Sequence, residues 1–207
     1  MAQFLEIHPK DPQSRLIARA ADVLRDGGVI VYPTDSSYAL GCQIGEKSAL
    51  DRIRMIRRVD DKHNFTLVCR DLSEIATYAR VDNQAYRLLK SLTPGPYTFI
   101  FEATKQVPRR LLHPKRRMIG IRVPDAPISQ ALLTEMAQPI LSTTLIMPGD
   151  DAPLNDAFEI RETIGHCVDL IIDGGSCGNE PTTVGDLTRD PPIVVRRGKG
   201  DASLFEA

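Results

Sequence analysis

Tryptophan is absent from the 207 residues, and aromatic residues amount to only 5%. So little stacking surface leaves few places to hold the bases of a single-stranded nucleic acid. An excess of either charge is also missing, with 26 basic side chains against 27 acidic ones, so no net field draws the chain toward a polyanion. Long apolar runs are lacking. Stretches such as residues 28–32 and 191–195 fall far short of the roughly 18 apolar residues of a membrane helix, and no membrane association is expected. Near the N-terminus, Glu6, His8, Lys10 and Asp11 stand where a secretory signal carries its apolar segment, so a cytoplasmic location is expected.

Cysteine is sparse. Cys42, Cys69, Cys167 and Cys177 fit neither the paired spacing of a zinc site nor a disulfide framework, and each reads as a buried thiol. His8, His63, His113 and His166 likewise show no metal-ligand spacing, so no metal site is expected. The sequence contains no Gly-x-x-x-x-Gly-Lys-Ser/Thr loop, no Gly-x-Gly-x-x-Gly, no Gly-x-Ser-x-Gly and no His-Glu-x-x-His. The common phosphate loops and hydrolase motifs are therefore excluded, and any nucleotide must be held by another device. What remains, 42% hydrophobic and 26% charged, is the composition of an ordinary packed protein. A chain of this length buries roughly 70% of its unfolded surface without staples. Balanced charge and the lack of long apolar runs make a monomer the expectation.

Periodicity supplies the elements. Residues 14–26 read as a helix, with Leu16, Ile17, Ala20 and Leu24 on one face and Gly27-Gly28 as the stop. Residues 29–32 form an all-apolar strand, the pattern of a strand covered on both faces. Residues 48–58, 72–78, 83–92, 126–136 and 157–164 read as further helices. Residues 66–69, 97–102, 118–122, 139–144, 168–172, 183–187 and 193–196 read as strands. Frequent alternation of the two types predicts one α/β domain on a twisted sheet.

Basic residues come in three groups. Residues 103–124 contain no acid but carry Lys105, Arg109, Arg110, Lys115, Arg116, Arg117 and Arg122; Arg52, Arg54, Arg57, Arg58 and Lys62 form a second group, and Arg189, Arg196, Arg197 and Lys199 a third. Each group alone reads as a solvated face. If the three converge in space, a polyanion or a nucleoside triphosphate is the better reading.

Three segments carry chemistry. In Val31-Tyr32-Pro33-Thr34-Asp35-Ser36-Ser37-Tyr38, Pro33 is expected to stop the strand. Hydroxyls and a carboxylate follow at its carboxyl end, where α/β sheets bind ligands. On local grounds Thr34 or Ser36 reads as a helix N-cap. Thr93-Pro94-Gly95-Pro96 is a rigid turn entering a strand. Arg122 ends the apolar strand Ile119-Gly120-Ile121, an expensive place for a guanidinium unless it meets an anion.

Taken in order, residues 32–41, 94–98, 122–124, 173–175 with 182–186, and 196–198 resemble the motifs of the YrdC-like threonylcarbamoyl-AMP synthase family. The resemblance covers nearly the whole chain and suggests a bacterial paralogue of the synthases. It implies a single α/β domain with a twisted mixed sheet of YrdC/RibB type enclosing a positively charged cavity. It also implies condensation of L-threonine, bicarbonate and ATP, with magnesium, into threonylcarbamoyl-AMP and pyrophosphate, for modification of transfer RNA. Carried over by position, Thr34 and Arg122, with Thr183 and His63, would bind threonine. Arg57, Arg58, Lys62, Ser142, Thr144 and Arg196 would face the nucleotide. Such chemistry is mostly positioning of two anions and needs no protein nucleophile.

Two departures bear on that expectation. The family's Lys-x-Arg is replaced by Arg57-Arg58-Val59, with Lys62 as a substitute. The family's Ser-Thr-Ser-Ala-Asn-x-Ser-Gly becomes Ser142-Thr143-Thr144-Leu145-Ile146-Met147-Pro148-Gly149. Each hydrogen bond to phosphate lost in this way costs about 1.5 to 3 kcal/mol, so weak synthase activity is expected. The alternative readings are a paralogue acting on a related threonylcarbamoyl compound, and a protein that binds transfer RNA or double-stranded RNA through phosphates and A-form shape.

Overall fold

A computed structural model describes residues 1–60, 63–111 and 117–205. Its elements run β1 (Gln3–Glu6), α1 (Ser14–Arg25), β2 (Ile30–Pro33), β3 (Tyr38–Gln43), α2 (Lys47–Arg57), β4 (Thr66–Val68), α3 (Leu72–Tyr78), α4 (Asn83–Leu92), β5 (Tyr97–Glu102), β6 (Met118–Arg122), α5 (Pro127–Met136), β7 (Ile140–Thr144), α6 (Ala157–Ile164), β8 (Leu170–Asp173), β9 (Thr183–Asp186) and β10 (Ile193–Arg196). Short 3-10 turns occupy Arg109–Leu111 and Ala202–Phe205. Among the described residues no helix is long and apolar enough to cross a membrane.

Among the described residues, ten strands join one sheet in the order β1-β8-β2-β3-β7-β4-β6-β5-β9-β10. Pairing is mixed: β2 with β8, β4 with β6 and β5 with β9 run parallel, while β3 lies antiparallel between β2 and β7. The chain is thus a single α/β domain, as the alternation of helix and strand predicts. Its sheet carries helices on both sides.

Two hairpin partners correct the sequence reading. The strand ends at Pro33, as expected, but Pro33 is itself paired with Tyr38, and Tyr38–Gln43 forms β3, which the sequence reading did not mark. Residues 34–37 are therefore a hairpin turn. No helix follows Thr34 or Ser36, so neither is an N-cap; the hydroxyls serve the turn itself, as such side chains do in tight loops. β1 is a further strand that the apolar pattern did not mark. The four cysteines divide: Cys42 and Cys69 are buried, whereas Cys167 and Cys177 are partly exposed. Burial pushes the Cys42 thiol up to about 12 and that of Cys177 to about 11.

The two faces of the sheet are covered unequally. On one face α1 and α5 pack on each other and on the sheet through Ile17, Ala20, Leu24, Ile128, Leu132 and Met136. This cluster reaches Ile30, Tyr32, Ile140 and Val68 of β2, β7 and β4 and goes no further across the sheet. The opposite face carries the larger core, in which Leu40, Leu67, Phe99, Ile121 and Leu141 meet Leu50 and Ile53 of α2, Ile75 of α3, Leu89 of α4 and Ile160 of α6.

Phe99 is fully buried, with its ring 6.1 Å from that of Tyr97 and 6.0 Å from that of Phe205. Phe99→Ala should cost about 3 to 5 kcal/mol by leaving a cavity. Urea unfolding should show a lower midpoint with an unchanged slope.

Candidate functional site

Beyond Ile140 and Val68, strand alternation keeps the same face of the sheet but changes its chemistry. Side chains two residues apart share a face, so Ser142 and Thr144 of β7 follow Ile140, and Thr66 of β4 precedes Val68. Register carries the row onward. Thr66 pairs with Ser142 on one side and with Gly120 on the other, and Val68 pairs with Arg122. Ile100 pairs with Gly120, Thr98 with Val184, and Val184 with Arg196. The result is a polar strip on the half of this face that α1 and α5 leave uncovered.

The strip is wired by hydroxyls. Tyr32 donates to Ser142 Oγ at 2.9 Å, and Ser142 donates to the Leu40 carbonyl at 3.0 Å. Burial pushes the Tyr32 phenol up to about 12, against the opposing effect of its bond to Ser142. Thr98 and Thr182 share a hydrogen bond of 2.9 Å, and Arg196 donates to the Thr182 carbonyl at 2.9 Å and to its hydroxyl at 3.1 Å.

Arg122 stands beside the strip and is 8% exposed. Its Nη2 donates to Asp35 Oδ1 and its Nη1 to Ser36 Oγ at 3.2 Å. The other oxygen of Asp35 accepts the Asp125 backbone N–H at 3.1 Å. The Arg122 Nε–H is buried and has no hydrogen-bond partner among the described residues. Arg196 lies near enough for its guanidinium to be lowered by burial and then by Arg122. One edge of Arg122 is therefore satisfied by the hairpin turn, its Nε–H is left over, and Arg196 adds a second positive charge close enough to be felt. An anion there would satisfy the orphan donor and relieve that repulsion.

The turn that holds Arg122 is closed internally. Thr34 Oγ1 donates to the Ser37 carbonyl at 2.7 Å and accepts the N–H groups of Ser36 and Ser37, each at 3.2 Å. The Thr34 hydroxyl thus spends its proton on the turn. Ser129 of α5 fastens the base of the turn by donating to the Pro33 carbonyl at 2.7 Å.

The other expected site residues fall into separate places. Arg57 ends α2, where burial lowers its guanidinium and its Nε–H has no partner among the described residues. His63 is close by, 3.0 Å from Thr143 Oγ1 and edge-on to Phe65. Burial lowers the His63 pKa, and the charges of Arg57 and Arg54 lower it further. Thr143 alternates to the face opposite Ser142 and Thr144, so Arg57 and His63 form a second basic group on the α2 side of β7. Arg58 takes the left-handed C-cap of α2 at φ 49° and is exposed. Thr183 is buried on the side of Tyr97 and Phe205, where its hydroxyl serves Gly198 and Gly200. Lys62 and the basic residues Lys115 and Arg116 lie outside the described residues. Asp35, Ser36 and Tyr32 join the site through folding and are not among the residues that the motifs mark as binding. Their signal is adjacency to Thr34, but only the folded pairing links them to Arg122 and Ser142.

The family description Sua5_yciO_yrdC (Telomere recombination) matches residues 22–198, and the chain belongs to the Sua5/YciO/YrdC family. It is 58% identical over 205 residues to YciO of Escherichia coli K12, covering 99% of this chain and 100% of that one. The crystal structure of E. coli YciO superposes with a TM-score of 0.96 at 57% identity, over 99% of this chain and 100% of that one. A threonylcarbamoyl-AMP synthase of Coxiella burnetii is 29% identical over 165 residues, 79% of this chain and 88% of the synthase. P. abyssi Sua5, crystallised with L-threonine, shares the fold at TM-score 0.86 and 24% identity, over 94% of this chain and 57% of that one.

The buried pair yields a test. Asp35→Ala leaves Arg122 with an uncompensated charge and should destabilise the fold by about 3 to 5 kcal/mol, while Asp35→Ala with Arg122→Met should recover part of the loss. Denaturant unfolding of both variants checks this, and a neutral Asp35→Ala would show that the pair carries no weight.

Proposed function

We propose that the chain binds an amino-acid carboxylate, that of L-threonine, at Arg122 and joins it with bicarbonate and ATP as a threonylcarbamoyl-AMP synthase of low turnover. The observation that carries this reading is the buried Arg122 Nε–H, without a partner among the described residues, set beside Arg196 on a polar strip. The strip is then the floor of the positively charged cavity that the family motifs imply. The synthase relative and the threonine-bound Sua5 agree with that assignment.

The chemistry divides into two condensations. The amine nitrogen of threonine bonds to the carbon of bicarbonate with loss of water, giving a carbamate. A carbamate oxygen then attacks the α-phosphorus of ATP as the bond to the bridging oxygen breaks, and pyrophosphate leaves. Carbamate and triphosphate repel each other, so the protein's task is to hold them in line and offset their charge.

Arg122 orients the threonine end, and the self-closed Thr34 turn fixes Arg122. Thr144 and Arg196 face the nucleotide from the strip, whereas Arg57 and His63, on the opposite face of β7 beside Thr143, take no part in holding it. Ser142 helps by anchoring Tyr32 under the strip rather than by offering a free hydroxyl. Magnesium would arrive with the ATP phosphates, where it screens their charge. Among the described residues no group of three or more His, Cys, Asp or Glu side chains is arranged to hold a metal ion.

Ile146 and Pro148 explain the low turnover. Ile146 offers no hydrogen bond, and Pro148 has neither a hydroxyl nor a backbone N–H. Purified protein with ATP, magnesium, bicarbonate and threonine should release pyrophosphate only when threonine is present. The double variant Thr144→Ser with Ile146→Asn should raise the rate about tenfold, the worth of one regained bond to a charged group. No threonine-dependent release from either protein at high concentration would remove the synthase reading.

A further inference from the structure

Lys199 lies 164 residues from Asp35 in the chain, yet its ammonium donates to the Asp35 backbone carbonyl. Asp35 is the residue whose carboxylate holds both Arg122 and the Asp125 N–H. The hydrogen bonds of Thr34 close the turn on itself and use none of the polar groups of Asp35. The carbonyl of Asp35 is thus fixed from outside the turn, by the tail of the protein. The Lys199 ammonium also lies close enough to Cys177 to lower its thiol pKa against the effect of burial. A Cβ built on Gly178 would stand 3.9 Å from Lys199 Nζ and 2.9 Å from the Ser36 carbonyl. Lys199 therefore occupies the junction of the hairpin turn, the segment around residues 177–178, and the tail.

The tail is shaped to deliver this side chain. Gly198 N–H donates to Thr183 Oγ1 at 3.0 Å, Lys199 N–H donates to the Pro181 carbonyl at 2.9 Å, and Thr183 Oγ1 donates to the Gly200 carbonyl. Glycine is required on both sides of Lys199. A Cβ at position 198 would sit 2.2 Å from the Pro181 carbonyl oxygen, and one at 200 would sit 2.3 Å from the Tyr97 ring. The backbone is pinned against β9 and β5 on either side of a lysine whose end reaches the turn. Thr183, expected from its position to touch substrate, here acts as the fastener of this strap.

We propose that Lys199 is a positioning residue for the carboxylate site, holding the Asp35 peptide so that Asp35 aims the free edge of Arg122 at the ligand. The proposal rests on the reading of Arg122 as the threonine site. Its ammonium acts through the turn and touches no reacting atom. A lysine suits the role because a compact ammonium on a flexible stem can reach a single carbonyl, whereas a guanidinium is built for planar, two-point contacts.

The test compares wild type, Lys199→Met and Lys199→Arg by calorimetric titration with L-threonine, alongside thermal unfolding and amide hydrogen exchange. Lys199→Met should weaken threonine binding about tenfold, the range for one hydrogen bond from a charged donor, with an unfolding temperature close to that of wild type. Lys199→Arg should recover part of the affinity. The amides of Ser36, Ser37 and Asp125 should exchange about tenfold faster in Lys199→Met, while those of β5 and β9 stay unchanged. Unchanged threonine affinity in Lys199→Met would overturn the proposal. If wild type itself binds no threonine, the carboxylate reading fails and the exchange data decide on Lys199 alone: faster local exchange supports the positioning role, and equal exchange refutes it.

Discussion

The organisation of the site depends on one ion pair that is almost out of water. The side chains of Arg122 and Asp35 are 10% and 8% exposed. Two charges removed from solvent at that depth depend on close mutual geometry and on further hydrogen bonds. Here the carboxylate accepts from Arg122 and from the Asp125 N–H, Ser36 takes a further guanidinium hydrogen, and the Arg122 Nε–H is left without a partner among the described residues. The pair links the end of β6 to the turn between β2 and β3, segments about ninety residues apart. Strands on both sides of β7 and β4 are thereby locked in one relation, and the arginine is held at the boundary where apolar cover gives way to hydroxyls.

That boundary follows from how the helices are spent. α1 and α5 lie on the same face and pack on each other, so between them they roof β8, β2 and β3 but stop at Ile140 and Val68. α2, α3, α4 and α6 all serve the opposite face. A strand that crosses this boundary must change its residue types without changing its alternation, and β7 does so within five residues, from Ile140 to Ser142 to Thr144. A dry core and a strip of hydroxyls are continuous parts of one layer.

Much of this architecture was readable in the sequence because it follows from local pattern. The helices over 14–26 and 83–92 and the strands over 97–102 and 118–122 agree with α1, α4, β5 and β6, since their apolar spacing matches the faces they bury. β3 escaped notice because Tyr38-Ala39-Leu40-Gly41-Cys42 has no polar alternation and follows a turn rich in hydroxyls, which suits a helix start equally well. β1 is only four residues long and carries too little pattern to stand out. The family motifs named Thr34, Arg122, Ser142 and Thr183, yet a motif does not disclose which partner consumes a hydroxyl. Ser142 is committed to Tyr32 and Leu40, and Thr183 to the glycines of the tail. Lys199 gave no signal at all, since it sits in a short basic run that reads as solvated surface until folding carries it back to Asp35.

At the far end of the sheet, β10 leaves Ile193 and Val195 49% and 58% exposed, and its pairing with β9 slips between Val194 and Arg196. An open apolar rim ordinarily invites another chain to zip onto it. The slip breaks the even spacing of donors and acceptors, Pro191 and Pro192 enter without amide hydrogens, and the Arg196-Arg197 pair closes the strand with like charge. The same few residues that present a cation to the polar strip also guard the protein against fibrous stacking at its margin.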